Sequence, residues 1–176
     1  MRSLIAASPV LGCVFVCLVG LTRSALAETT GTSRSSSEYE LMGGALLPSK
    51  ISGVKEVLPL WGARAGLRTK RGFFEADAAL ANAGGVSYDA FTFDYRYDVE
   101  TDVAPAFFLL GVQSDLYQSP NGDPKVSGGW NFGGGVFLPL AGDLWLRSDV
   151  RYRFGPGTSL MILLGLSLRL PEGGPG

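Results

Sequence analysis

The sequence predicts an all-β fold: an eight-stranded, antiparallel, up-and-down transmembrane β-barrel. Three observations predict it. Apolar and polar residues alternate with period 2 through eight segments of roughly ten residues, about the length a tilted strand needs to cross a hydrocarbon layer. Short turns or loops join each segment to the next, which makes neighbours antiparallel. Charged side chains gather on one face of these segments, and aromatic or aliphatic ones on the other.

The first segment runs from about Glu38 to Leu47, with Tyr39, Leu41, Gly43, Ala45 and Leu47 on one face. The second spans about Leu58 to Thr69; Trp61, Ala63, Ala65 and Leu67 face one way, Arg64 and Arg68 the other. Lys70-Arg71-Gly72 turns the chain into a third segment, Phe73 to Ala81, where Phe74, Ala76, Ala78 and Leu80 oppose Glu75 and Asp77. A glycine-bearing loop, Asn82 to Ser87, leads to the fourth, Tyr88 to Val99. There Phe91, Phe93, Tyr95, Tyr97 and Val99 oppose Asp94, Arg96 and Asp98. After Glu100-Thr101-Asp102 comes the fifth, Ala104 to Leu116, with Phe108, Leu110 and Val112 on its apolar side and Asp115 on the other. The loop from Tyr117 to Val126 carries Pro120, Gly122 and Pro124, residues suited to turns. In the sixth segment, Ser127 to Leu138, Trp130, Phe132, Val136 and Leu138 alternate with Asn131, Gly133 and Gly135. Pro139 to Gly142 turns into the seventh, "LWLRSDVRYRF" from Leu144 to Phe154, with Arg147, Asp149, Arg151 and Arg153 at every second position. Gly155-Pro156-Gly157 turns into the eighth, Thr158 to Leu170, whose face of Leu160, Ile162, Leu164, Leu166, Leu168 and Leu170 is wholly aliphatic. Eight strands in a meander close on themselves to hide both edges.

Before the barrel, residues 1–27 read as a cleaved signal peptide: Arg2, an apolar stretch from Leu4 to Leu21, and Ala25-Leu26-Ala27 as the cleavage pattern. An uncut anchor and a lipoprotein box at Val10-Leu11-Gly12-Cys13 are weaker alternatives. Residues 28–37 read as a flexible polar leader, 38–170 as the barrel and 171–176 as a short tail. Both cysteines, Cys13 and Cys17, fall in the signal segment, so the exported chain is expected to have no disulfide or thiol chemistry. Beyond that segment no apolar run is long enough for a membrane helix. A formal net charge of −1 gives no electrostatic case for nucleic acid.

The charges choose the solvent. Seven arginines (Arg64, Arg68, Arg96, Arg147, Arg151, Arg153 and Arg169) share the polar faces with seven carboxylates: Glu40, Glu75, Asp77, Asp94, Asp98, Asp115 and Asp149. The apolar faces carry essentially no charge. Lys50, Lys55, Lys70 and Lys125 all lie in turns or loops. Arginine's planar fork suits carboxylates in enclosed spaces, so this division fits a lumen filled by ion pairs and an outer wall in lipid. Trp61, Tyr88, Tyr97, Trp130 and Tyr152, towards strand ends, are candidates for interfacial girdles. Glycines on the strands are expected to make room for bulky lumen neighbours. A soluble exported barrel with the aromatics inside, binding an apolar ligand, is the competing reading.

The stretch "GGWNFGGGVFLPLAGDLWLRSDVRYRF" followed by "TSLMILLGLSLRL" resembles the last three strands of small OmpA-like or OmpX-like outer-membrane β-barrel proteins of Gram-negative bacteria. The resemblance is clearest over residues 127–170. It implies a location in the outer membrane, contact with lipopolysaccharide and phospholipid, and insertion by the barrel-assembly machinery. That machinery commonly reads a terminal aromatic residue, whereas here the last strand ends at Leu170 and "PEGGPG" follows. A peptidoglycan-binding domain of the OmpA type is not expected after it. Outer-membrane barrel enzymes, such as lipid A deacylases, palmitoyltransferases and omptin proteases, resemble this architecture, and each family uses a histidine. This chain has none.

No catalytic residue, cofactor or metal is therefore expected. Glu75 with Asp77, and Asp94 with Asp98, are carboxylate pairs on one strand face, but lumen arginines account for them. "GGGV" at Gly133 lacks the Lys-Ser/Thr and the helix of a phosphate loop. "NGDP" at Asn121 is explained by turn chemistry rather than calcium. The function expected is non-enzymatic, in envelope structure or surface interaction, with the surface ligand unspecified and a narrow channel for ions or small solutes as the alternative.

Overall fold

The computed structural model describes residues 37–49, 56–69, 71–99, 101, 104–118, 123–155 and 158–170. The expected signal segment, most of the leader, the tail and the centres of several loops lie outside these residues. The eight strands are β1 (Ser37–Pro48), β2 (Leu58–Thr69), β3 (Gly72–Ala83), β4 (Val86–Val99), β5 (Ala106–Gln118), β6 (Lys125–Ala141), β7 (Leu144–Phe154) and β8 (Ser159–Leu170). Each pairs antiparallel with the next, and β1 pairs with β8 from Ser37 opposite Leu170 to Pro48 opposite Ser159. That last ladder closes the barrel and leaves no open edge.

Two ends are distinguished by the connectivity. The terminal end carries Ser37, Leu170 and the β2–β3, β4–β5 and β6–β7 connections. The distal end carries the β1–β2, β3–β4, β5–β6 and β7–β8 connections.

Alternation drives the strands, and the barrel displays it inside out. Leu41, Trp61, Phe93, Phe108, Leu110, Trp130, Phe132, Leu164 and Leu166 are exposed on the outer wall. Glu75, Asp94, Arg96, Arg147, Arg151 and Arg153 are at most 1% exposed. Outward rings meet across strands as aromatic pairs do on a sheet face: Phe74 with Tyr95 at 5.4 Å, and Phe132 with Tyr152 at 5.6 Å between centroids.

Several expectations need correction. Tyr88 is no girdle residue; it is 1% exposed and faces the lumen, on the same side of β4 as Asp94 and Arg96. The apolar face is not free of charge, because half-buried Asp89 lies on the Phe91 side of β4, near its distal end. Ser37 belongs to β1 rather than to the leader. β6 continues through Pro139 to Ala141, with a register shift between them; at such an irregularity the missing proline N–H costs the ladder little. β5 and β6 also run further into the expected Tyr117–Val126 loop. The Asn82–Ser87 loop shrinks to a two-residue turn, Gly84-Gly85, with φ of 61° and 79°. Positive φ at both positions is what a hairpin turn matched to strand twist requires.

Candidate functional site

The lumen holds the concentration of buried chemistry, and ring closure builds it. β3 and β7 stand on opposite sides of the eight-strand ring. Arg147 on β7 nevertheless donates to Glu75 on β3 at 2.6 and 2.9 Å, and Arg151 on β7 donates to Asp77 at 2.7 Å. Only side chains directed at the barrel axis can meet in this way.

Around these two bridges the centre of the lumen is filled. Arg151 also reaches Asp94 at 2.7 Å and Asp149 at 3.2 Å. Arg64 holds Glu40 at 2.8 Å, Asp149 at 3.2 Å and Asp77 at 3.4 Å. Arg147 adds Asp149 at 3.0 Å and Glu40 at 3.6 Å. Arg96 binds Glu75 and donates to Asp98 at 2.7 Å. Such dense pairing offsets the desolvation that isolated buried charges would suffer.

Arg153 stands apart, towards the distal end. It contacts Asp115 and the Tyr88 hydroxyl, and donates to Gln113 at 2.5 Å. At the terminal end Arg68 and Asp98 pair at 2.5 Å with side chains 43% and 26% exposed. The fourteen arginines and carboxylates singled out from the sequence fall into a central cluster, which extends to Arg68 through the Arg96–Asp98 bond, and a separate distal pair, Arg153 with Asp115. Arg169 joins through Glu38, at 3.1 Å.

Glu38 was not among those expected. It is 3% exposed and accepts from Arg96 at 3.0 and 3.1 Å, from Arg147 at 3.4 Å and from Arg169. Its position two residues before Glu40, on the same strand face, is the signal that could have found it. Tyr88, Thr92, Gln113 and Asn131 are further buried polar lumen residues.

Most of the ion pairs occupy the middle of the lumen. Distal to them lies an apolar cluster that includes Met42, Leu46, Leu58, Leu60, Met161 and Leu163. On the terminal side, arginines lie over aromatic rings: Arg96 at 3.8 Å from the Phe73 centroid, Arg147 at 4.2 Å from Phe107, and Arg169 at 3.8 Å from Phe137 and 4.9 Å from Trp145. These are cation–π distances. The lumen is therefore a stack of an aliphatic layer, an ionic layer and an arginine–aromatic layer.

Glycine makes part of the ionic layer possible. Gly165 on β8 faces inward, and a Cβ there would fall within the Glu40 carboxylate. No group of three or more His, Cys, Asp or Glu side chains is arranged to hold a metal ion among the described residues.

No family model and no curated protein matches the chain. Solved structures do. The N-terminal β-barrel domain of Pseudomonas aeruginosa OprF aligns with a TM-score of 0.64 at 16% identity, over 79% of this chain and all of that one. Neisserial surface protein A aligns with a TM-score of 0.57 at 15% identity, over 78% of this chain and 98% of that one. Ail, the attachment invasion locus protein of Yersinia pestis, aligns at 0.53 and 12% identity, over 77% of this chain and 97% of that one. The likeness lies in the fold: this chain has the closed, antiparallel, eight-stranded architecture of small outer-membrane β-barrels.

Proposed function

We propose that the chain is a non-enzymatic outer-membrane β-barrel of a Gram-negative bacterium, closed to general diffusion by its own side chains, and serving envelope structure or surface interaction. The observation that carries the closed reading is the pair of bridges across the full ring, Arg147–Glu75 and Arg151–Asp77. An eight-stranded barrel is just wide enough for side chains to fill. Here an aliphatic layer and an arginine–aromatic layer lie on either side of the bridges, so a solute would have to displace three kinds of packing in series.

The outer wall supports the lipid assignment. In water, a surface that includes Leu41, Trp61, Phe108, Leu110 and Leu164, each more than half exposed, would be an adhesive patch; acyl chains accept it. Lipopolysaccharide and phospholipid are then its immediate partners, and the barrel-assembly machinery its route in. Residues 1–27 serve as the export signal in this reading, and 28–36 as the leader. Two of the similar structures bear names that refer to the cell surface or to attachment, in keeping with a surface role. The absence of histidine from the whole sequence removes the base on which known outer-membrane barrel enzymes rely.

Detergent refolding followed by a gel with and without boiling tests the barrel; a heat-dependent change in mobility is expected. Planar-bilayer recording tests the closure, and no stable single-channel steps are expected. The narrow-channel reading has one observation in its favour. Seven buried polar atoms, on Asp94, Asn131, Arg147, Asp149, Arg151 and Ser167, find no partner among the described residues, and they lie on the β4 and β6–β8 walls. Stable conductance steps abolished by filling that wall would favour it.

A further inference from the structure

We infer that the terminal mouth of the lumen is a binding site for a small aromatic or otherwise planar carboxylate. This goes beyond the proposed role and requires only that the barrel be folded. A cavity of about 310 Å³ opens there, lined by residues that include Glu38, Arg68, Phe73, Asp143, Trp145 and Arg169.

The unused hydrogen-bonding capacity of this cavity decides the chemistry. Glu38 is already engaged on both oxygens by Arg96, Arg147 and Arg169. Arg169 spends only its Nε, on Glu38, leaving both terminal nitrogens without a partner among the described residues. Arg68 spends only one terminal nitrogen, on Asp98. The Trp145 indole N–H has no described acceptor. What remains is a set of N–H donors, most of them on two guanidinium forks that match the two oxygens of a carboxylate. The Arg169 guanidinium carbon lies 3.8 Å from the Phe137 centroid and 4.9 Å from that of Trp145, so cation–π contact with two rings holds the group at the mouth. Phe73 is almost wholly buried under Arg96, so the partly exposed Trp145 ring supplies the apolar wall against which a planar body can lie. Asp143, on the exposed β6–β7 turn, is the lining carboxylate that is not held by an arginine, and it opposes an incoming anion.

The test uses the refolded full chain in detergent micelles, with benzoate as probe and inorganic phosphate and sodium chloride as comparators. The readout is the indole N–H resonance of Trp145, assigned by its loss in Trp145→Phe. A saturable shift with benzoate is expected, with little movement of the Trp61 and Trp130 indoles. Arg68→Gln, at a half-exposed position, should keep the melting temperature and weaken binding roughly tenfold, the cost of one charge-assisted hydrogen bond. Asp143→Asn should tighten it. A shift that follows ionic strength alone, or saturation by phosphate as readily as by benzoate, overturns the carboxylate site. So does benzoate binding only in Glu172→Gln, because the occupant would then be the chain's own acidic residue just beyond Leu170.

Discussion

Arg151→Leu separates a lumen held by ion pairs from one that merely contains them. Arg151 is wholly buried and contacts Asp77 and Asp94 at 2.7 Å and Asp149 at 3.2 Å. Its removal is felt unequally. Asp149 keeps Arg147 at 3.0 Å and Arg64 at 3.2 Å, and Asp77 keeps Arg64 at 3.4 Å. Asp94 keeps no cation within 4 Å among the described residues, and it is itself wholly buried. Breaking one partner from a buried pair costs about 3–5 kcal/mol, chiefly through the charge left behind. The partly exposed Arg68–Asp98 pair supplies the contrast: Arg68→Leu should cost less than about 1 kcal/mol, because Asp98 keeps Arg96. Equilibrium urea unfolding in micelles, followed by tryptophan fluorescence, measures both. The double variant Arg151→Leu/Asp94→Asn removes the stranded charge and should recover about 1–2 kcal/mol, a normal coupling for residues in contact. If Arg151→Leu costs no more than Arg68→Leu, or if the double variant recovers nothing, the reasoning fails.

Glu38→Gln weakens an acceptor shared by Arg96, Arg147 and Arg169, and should destabilise the barrel by about 3 kcal/mol in the same assay. Asp98→Asn, at a partly exposed carboxylate, should cost clearly less. Gly165→Val drives a side chain into the Glu40 carboxylate, and the crowding should cost about 1–3 kcal/mol or lower the yield of heat-modifiable barrel. Leu164→Arg, on the outer face of β8 and 55% exposed, should cost about 2–4 kcal/mol when refolded into lipid vesicles if it sits near the bilayer midplane. A soluble barrel would accept that substitution at no cost.

How much could be read from the sequence depended on whether the two strand faces differ. β7 is legible to the residue, because Arg147, Asp149, Arg151 and Arg153 alternate with apolar neighbours and glycine-bearing turns flank the strand. The distal lumen layer is not legible. Around Met161 and Leu163 in β8, and Leu58 and Leu60 in β2, both faces are apolar, so period-2 alternation carries no information about which side is in. Tyr88 was legible but overlooked: a tyrosine near a strand end suits a girdle, yet counting by twos from Asp94 and Arg96 along β4 puts it on the lumen face, where it meets Arg153. The ion-pair partners were beyond reach on physical grounds. Arg147 and Glu75 lie 72 residues apart and meet only because β1 closes on β8. Composition could say that arginines and carboxylates share the interior; ring closure alone says which holds which.

The central claim is that the apolar face meets acyl chains and the charged face meets the barrel axis. Three tryptophans divide between these surroundings: Trp61 and Trp130 are 60% and 56% exposed on the outer wall, and Trp145 lines the lumen mouth. Three single-tryptophan variants, each with the other two replaced by phenylalanine, can be refolded into vesicles of phospholipid brominated along the acyl chain. Strong quenching of Trp61 and Trp130 with Trp145 spared is the predicted result. Trp145 quenched as deeply as the other two, or Trp61 and Trp130 left untouched, would contradict it.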